Sequence, residues 1–302
     1  MKRAAMIILL LAMATVLSAQ QQGTQNPPAA QPGAGQSGTA QPSAPAPQGK
    51  HPPQAKTQPE FDAYKTVAAI ADPAAFEKAT DDFATKFPDS ELRVVLYRNG
   101  MHLYQSANNG DKMLEMGRNV LKLDPDDPEA LVGVAEVLAE RTRDTDLDKD
   151  QRLDEAMKNA QRAVETVDTD IVAPAETPKE RIDAYKGFLR STAYSIMGTL
   201  ALNKDKYADA ENYLRKSIDA YPSQPDPVAV LRLAVALDKQ EKYSEALKVA
   251  NQAVALNQEN THAGTAARQE RDRLMKLTNS GTPAPAPKPP AGDAQNQAPP
   301  KN

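Results

Sequence analysis

The sequence predicts an all-α protein, a right-handed solenoid of helix–turn–helix repeats that ends in a C-terminal capping helix. Two stretches are almost alike, "KYADAENYLRKSIDAYP" beginning at Lys206 and "KYSEALKVANQAVALNQ" beginning at Lys242. In the central part of the chain, apolar residues recur at helical spacing, and no stretch has the period of two that predicts a strand. Three pairs place a capping carboxylate before a proline that suits a first helical turn: Asp72-Pro73, Asp127-Pro128 and Asp226-Pro227.

Composition excludes several classes of function. The chain has 302 residues, a net charge of −4 and no block of basic residues, so nothing in it points to nucleic acid. It has no cysteine, which excludes disulfides, thiolate metal sites, a cysteine nucleophile and a lipid-modified cysteine. Its 25 prolines are concentrated towards the two ends, so the folded part is expected in the middle.

Residues 1–19 are predicted to be a secretory signal peptide. Lys2 and Arg3 supply positive charge, the stretch from Ala4 to Leu17 is apolar, and small residues precede a cleavage point after Ala19. The alternative is an uncleaved anchor, but the apolar stretch is shorter than the roughly 20 residues of a spanning helix. We therefore expect a mature protein in a bacterial periplasm, with no stable membrane span.

Both ends of the mature chain are predicted to be disordered. Residues 20–56 consist mainly of Gln, Pro, Ala, Gly and Ser, and residues 279–302 are rich in Pro and Ala. Such segments bury too little apolar surface to offset the entropy lost on ordering. We interpret them as solvated linkers, with a tether or spacer as the alternative.

The two similar stretches suggest a family. Tyr207 matches Tyr243, and Ala210 matches Ala246. Each unit consists of a helix, a short turn and a second helix, with small residues where the helices cross. This pattern resembles the tetratricopeptide repeat, whose period is about 34 residues.

The resemblance divides residues 57–278 into five units and a cap. Units 191–224 and 227–260 match the pattern best, and residues 261–276 are predicted to form the charged helix that lets a solenoid end in water. Three looser units lie upstream, at 57–91, 94–127 and 128–168.

Small residues should mark the close helix crossings, because extra methylenes would overpack these contacts. Gly198 is expected to face Ala210 in the unit 191–224. The two units nearest the N-terminus depart from the pattern and have bulky residues where small ones belong: Phe76, Phe83, Met101, Met113 and Val120.

The resemblance also implies a binding surface. In this family the first helices of successive repeats line a concave groove that commonly holds peptides or proteins. The charged clamp that some members use for a C-terminal carboxylate is not reproduced here, and ordinary solvated surface is the alternative for any single residue. By their places in the repeats, the groove candidates are Arg98, His102, Gln105, Glu129, Glu136, Ser195, Thr199 and Asp238, with Asn203 and Arg232 at the groove's edge.

An acidic insertion separates the helices of the unit 128–168. Five carboxylates have the spacing of the oxygen ligands in an EF-hand-like calcium loop: Asp144, Asp146, Asp148, Asp150 and Glu155. Lys149 stands where the sharp turn of such a loop needs glycine. We therefore interpret residues 144–155 as a polar loop whose aspartates cap a helix starting near Gln151, with Ca²⁺ binding as the alternative.

The sequence contains no catalytic constellation. Three histidines, His51, His102 and His262, are far apart, and no phosphate loop, nucleophile elbow or zinc-protease motif occurs. We predict a non-enzymatic scaffold or adaptor, without cofactor or metal, that binds a protein or peptide partner in its concave groove. Two alternatives stay open. One is a structural component of an envelope-assembly or secretion complex, and the other is a Ca²⁺-regulated binder acting through residues 144–155.

Overall fold

A computed structural model describes residues 50–174 and 176–279. The predicted signal peptide 1–19, the predicted linker up to residue 49 and the tail from residue 280 lie outside the described residues. The described residues form α-helices joined by turns and contain no strand. The predicted class, an all-α solenoid of helical repeats, is confirmed.

Eleven helices follow one another in the described part of the chain. Each of them is too short or too polar to span a bilayer. The first six are α1 (Gln58–Ala68), α2 (Pro73–Lys86), α3 (Leu92–Ser106), α4 (Gly110–Leu123), α5 (Pro128–Arg141) and α6 (Lys149–Thr166). The other five are α7 (Lys179–Asn203), α8 (Tyr207–Ala220), α9 (Pro227–Asp238), α10 (Tyr243–Leu256) and α11 (His262–Asn279).

The chain divides into two compact units, the first ending at Arg190 and the second beginning at Ser191, within α7. In the first unit, the consecutive helices from α1 through α6 pack against one another, and α3 also contacts α1 and α5. In the second unit, α8, α9, α10 and α11 pack in the same serial way, and α9 also contacts α11. Contacts between consecutive and alternate helices are what stacked helix–turn–helix repeats require.

Aspartates cap three helices, as predicted. The side chains of Asp72 and Asp127 each accept a hydrogen bond of 2.8 Å from a backbone N–H in the first turn of the helix that follows. Asp226 accepts two such bonds, at 3.0 and 3.3 Å. These bonds satisfy donors that a helix leaves unpaired at its start, and the proline that follows each aspartate has no N–H to satisfy.

One turn geometry recurs after the first helix of three units. Asn108, Asp205 and Glu241 adopt left-handed backbone, with φ of 55°, 56° and 62°, which non-glycine residues rarely do. In each turn, the next residue donates its N–H to a carbonyl in the last turn of the preceding helix, as in a Schellman C-cap. The three residues occupy the same position in three predicted units: 94–127, 191–224 and 227–260.

In the first unit, the bulky residues at predicted small positions are buried in the core. Met101, Met113 and Met116 pack together between α3, α4 and α5. Glycines make room for them: a Cβ on Gly133 would lie 3.0 Å from Met101 Sδ, and one on Gly100 would lie 3.2 Å from Met116 Sδ. These helices therefore still approach closely, but glycines at other positions of the repeat provide the small contact.

The core of the second unit is built from small residues and leucines. The atoms that a Cβ on Gly198 would meet first belong to Leu214, one turn beyond the predicted neighbour Ala210. A Cβ on Gly198 would lie only 2.6 Å from Leu214 Cγ, so α7 and α8 meet where only a glycine fits. The capping helix α11 contributes Ala267 and Leu274 to the same core.

Candidate functional site

The structure brings three predicted groove residues, Arg98, His102 and Glu129, into one largely buried ionic network. Arg98 on α3 donates from Nε to Oδ2 of Asp127 at 3.0 Å, and a second guanidinium nitrogen donates to the same oxygen. Its Nε also lies 3.9 Å from Glu129 on α5. Since Asp127 caps α5 with its other oxygen, its carboxylate connects α3 to α5.

Glu129 is the centre of this network. One of its oxygens pairs with Nε2 of His102, and Tyr185 on α7 hydrogen-bonds to its carboxylate. Burial raises the pKa of Glu129, but the contacts with His102, Arg98 and Tyr185 outweigh burial and lower that pKa to about 2. Burial beside Glu129 in turn raises the pKa of Tyr185 well above its ordinary value. These groups therefore pair with one another inside the first unit, although Nδ1 of His102 is buried without a hydrogen-bond partner among the described residues.

Tyr185 is the member of the network that sequence reasoning missed. It is buried in the first part of α7, ahead of the predicted unit 191–224. Two sequence signals could have found it. A capping box in "TPKE" from Thr177 marks a helix start, and Tyr185, Leu189 and Ala193 recur at the helical spacing of a buried face.

The lowered pKa of Glu129 predicts a pH-dependent contribution to stability. A carboxyl with a lower pKa in the folded than in the unfolded protein stabilises the fold above its ordinary value of 4.5. That contribution is lost as the pH falls through the folded pKa, which is about 2. Glu129→Gln should be less stable than the wild type near neutral pH, and the difference should shrink from about pH 5 to about pH 2. Urea unfolding at a series of pH values measures it, and a pH-independent difference would contradict the network.

Gln105 and Glu136, the remaining candidates of the first unit, line a small pocket that involves α3, α4 and α5. Its volume is about 50 Å³, and Glu140 and Arg141 also line it. A polar space of this size holds a few water molecules at most, since one water occupies about 30 Å³ of the liquid. Gln105 and Glu136 therefore lie together but do not form a ligand cavity.

The candidates in the second unit mostly bond within that unit. Ser195 donates to a carboxylate at the start of α9 at 3.3 Å, and Thr199 donates to a carbonyl of its own helix at 2.8 Å. Asp238 forms an ion pair with the capping helix α11. Asn203 is exposed and Arg232 is half-buried. Ser195 and Asp238 thus make contacts that join neighbouring helices of the repeats.

A cleft of about 1450 Å³ opens in the first unit. Three segments line most of it: residues 50–58 before and at the start of α1, residues 89–95 at the start of α3, and residues 170–174 after α6. Pockets that hold drug-sized molecules measure roughly 300–1,000 Å³. The cleft is therefore large enough for several residues of an extended peptide.

The lining of the cleft mixes apolar and charged side chains. Phe61, Leu92 and Val172 are among the apolar ones, and Arg98 reaches the cleft from the ionic network. Leu123 also lines it and is 38% exposed, which makes it one of the few large apolar side chains exposed in the described residues. Apolar surface that stays open in a concave place is typical of a binding site.

Residues 50–56, which we call the arm, lie along this cleft although the sequence places them in the predicted linker. The Nζ of Lys50 lies 2.5 Å from Asp124 and 2.6 Å from Asp170. The N–H of Gln54 donates to Glu91 at 3.1 Å. Charge pairing and a backbone hydrogen bond thus hold a segment whose composition predicted disorder.

The acidic insertion forms a turn before α6, which begins at Lys149. The predicted capping by its aspartates is not observed. Asp148 stands at the N-cap, but its side chain makes no capping hydrogen bond. Asp146 instead accepts from the N–H of Arg143 at 2.9 Å, and Asp144 pairs with Lys149 at 2.7 Å. Within residues 50–174 and 176–279, no group of three or more His, Cys, Asp or Glu side chains is placed to hold a metal ion.

We therefore expect Ca²⁺ to leave the stability of the protein unchanged. Calcium at about 1 mM should move the melting temperature by less than about 1 °C, because a ligand stabilises a fold only when it binds the folded state. Thermal unfolding with and without Ca²⁺ measures this. The variant Asp144→Asn/Asp148→Asn is the control, and a Ca²⁺-dependent rise that this variant abolishes would establish the calcium alternative.

The fold defines a helical-repeat protein, and comparison with known proteins identifies the repeat. Residues 197–261 match the family model described as tetratricopeptide repeat. The resemblance predicted from the sequence is therefore confirmed over this segment, which covers most of the two best-matching units. A search of curated proteins found no match to the chain.

Several solved structures are similar to the chain at low identity. The MamA protein is 17% identical, with a TM-score of 0.39 over 62% of this chain and 88% of its own. YrrB, described as a TPR protein with an unusual peptide-binding site, is 14% identical, with a TM-score of 0.41 over 65% of this chain and 88% of its own. TTC0263, described as a thermophilic TPR protein in Thermus thermophilus, is 12% identical, with a TM-score of 0.41 over 72% of this chain and 100% of its own. These general likenesses carry no information about the site.

Proposed function

We propose that the protein is a non-enzymatic interaction scaffold that binds a segment of a partner protein in the cleft of its first unit. Tetratricopeptide repeats, which the chain matches over residues 197–261, are modules for protein–protein interaction. The observation that carries the proposal is the cleft itself, with about 1450 Å³ of space, an exposed Leu123 and charged groups in its lining. Such a combination suits an extended segment, because apolar contacts supply affinity and a few polar groups fix its orientation.

The predicted concave groove supports the proposal less well than the cleft does. Arg98 and His102 are paired with Asp127 and Glu129 in a largely buried network. A ligand that recruited them would have to break these pairs, which leaves buried charges uncompensated. The arrangement therefore favours a structural role for these four side chains.

We also propose that the protein acts outside the cytoplasm. Support comes from the positive, apolar and small residues of segment 1–19, which together match a secretory signal. N-terminal sequencing of the mature protein should find Gln20 first, in the soluble envelope fraction. An intact Met1 in the membrane fraction would contradict this location.

Capture of the partner from native envelope extracts tests the proposed function. Leu123→Lys combined with Val172→Lys puts two positive charges into the apolar lining of the cleft, so this variant should fold but lose the crosslinked partner. Leu147→Lys is the matched control, because Leu147 is 107% exposed in the acidic insertion and does not line the cleft.

Two outcomes would contradict the cleft as the binding site. One is a cleft variant that captures the partner as the wild type does. The other is loss of capture when Gln105→Lys and Asn203→Lys are combined while the cleft is intact, which would return the binding site to the predicted groove.

A further inference from the structure

We propose that the cleft recognises a basic, proline-containing extended segment of a partner protein, and that the arm is a built-in competitor for the same place. This inference rests on the proposed function and deepens it by naming the chemistry of the partner. The arm itself has this chemistry, since it begins with Lys50, His51, Pro52 and Pro53, and it lines the cleft along most of its length.

The first feature that selects such a segment is a pair of carboxylates. Asp124 follows the end of α4 and Asp170 lies after α6, and both contact the single ammonium group of Lys50. Two carboxylates that share one site repel each other, and a cation between them relieves the repulsion. Both aspartates are largely buried while Lys50 covers them. When the arm leaves, this acid pair therefore attracts another lysine.

The second feature is the fit to proline. Pro52 and Pro53 line the cleft, and a proline pair holds the chain extended, so that little entropy is lost on binding. Prolines also lack an N–H, so the bound stretch needs few backbone acceptors. The first residue after the prolines, Gln54, does have an N–H, and Glu91 on the wall of the cleft accepts it at 3.1 Å.

The arm is held in a way that permits exchange. The side chain of Lys50, which anchors the arm, is about one-third exposed, so water and salt partly screen its pairs with the two aspartates and weaken them. The arm is tethered directly before α1, so it competes at a high effective concentration. About 1450 Å³ of the cleft is still open beside it, which gives an incoming segment room to bind before the arm is displaced.

A synthetic peptide with the sequence of residues 50–57, KHPPQAKT, tests the proposal on the full chain. Lys50→Glu in the protein should repel the arm from Asp124 and Asp170 and open the site. In fluorescence anisotropy, the labelled peptide should then bind Lys50→Glu at least about tenfold more tightly than it binds the wild type. Adding Asp124→Asn and Asp170→Asn should abolish that gain, whereas adding Asp111→Asn, an exposed aspartate on α4, should preserve it.

Three binding results would overturn the proposal. These are equal binding to the wild type and to Lys50→Glu, unchanged binding when the acid pair is neutralised, and unchanged binding of a peptide whose first lysine is replaced by glutamate. If the acid-pair variant unfolds, the proposal is tested instead with the peptide whose first lysine is replaced by glutamate. The single variants Asp124→Asn and Asp170→Asn then replace the double variant. Self-association of the wild type through exchanged arms would also overturn it, by making a second copy the occupant.

The outcomes for this inference and for the proposed function can be told apart. If the peptide fails to bind but Leu123→Lys/Val172→Lys still abolishes partner capture, the cleft binds a partner of different chemistry and only this inference is wrong. If the peptide binds as expected but that variant captures the partner normally, the proposed function of the cleft is wrong.

Discussion

Replacing Arg98 with methionine is expected to lower the free energy of unfolding by about 3–5 kcal/mol. The substitution keeps a long apolar stem but removes the charge that pairs with Asp127, whose side chain is 3% exposed. Asp127 would keep the bond from the N–H of Ala130 but lose its cation, and Glu129 would keep His102 and Tyr185. Removing one member of a buried pair is costly because the other charge stays desolvated. Urea unfolding followed by circular dichroism measures the loss.

Arg118→Met is the matched control for this prediction. Arg118 on α4 makes three hydrogen bonds to Glu155 on α6, at 2.8, 3.0 and 3.2 Å, but its side chain is 46% exposed. Exposed pairs contribute roughly 0–1 kcal/mol even when their geometry is good. Equal losses for the two variants would show that burial does not decide the strength of the Arg98 network.

Gly198→Leu is expected to destabilise the second unit by about 3 kcal/mol. Even the Cβ would lie 2.6 Å from Leu214 Cγ, so α7 and α8 would have to move apart. Leucine favours a helix over glycine by roughly 0.8 kcal/mol, which offsets only part of the overpacking. Thermal and urea unfolding of the variant measure the net effect.

Asn212→Leu provides the control for the added leucine. Asn212 is exposed on α8, two residues before Leu214, so the new side chain meets solvent. Its helix propensity improves by a few tenths of a kcal/mol, and stability should be unchanged or slightly higher. Wild-type stability in Gly198→Leu would mean that the two helices do not cross at this glycine.

The parts of the fold that the sequence predicted depend on neighbours along the chain. The Asp-Pro pairs cap helices because the carboxylate and the donors it satisfies lie within one turn. The unit 191–224 could be aligned with 227–260 because Tyr207 matches Tyr243 and Ala210 matches Ala246 within one helix of each unit. Such signals are local, so they survive in a single sequence.

The parts that sequence reasoning missed depend on residues far apart in the chain. Gly133 on α5 makes room for the side chain of Met101 on α3. The residues around Met101 in the sequence therefore do not indicate that a distant glycine compensates for its size. Lys50 is ordered by Asp124 and Asp170, which no local pattern connects to it. The groove candidates lie on the first helices of their predicted units. Whether each side chain meets solvent or a buried partner depends on packing between helices, which cannot be read from one sequence.

The most direct test of the cleft as the binding site is photo-crosslinking from two leucines. A photoreactive amino acid is placed at Leu123, 38% exposed in the cleft, or at Leu147, 107% exposed in the acidic insertion. Both proteins are irradiated in native envelope preparations, and the crosslinked products are compared by mass spectrometry. The account predicts a discrete partner adduct from position 123 and none from position 147. The same adduct from both positions, or one from position 147 alone, would contradict it.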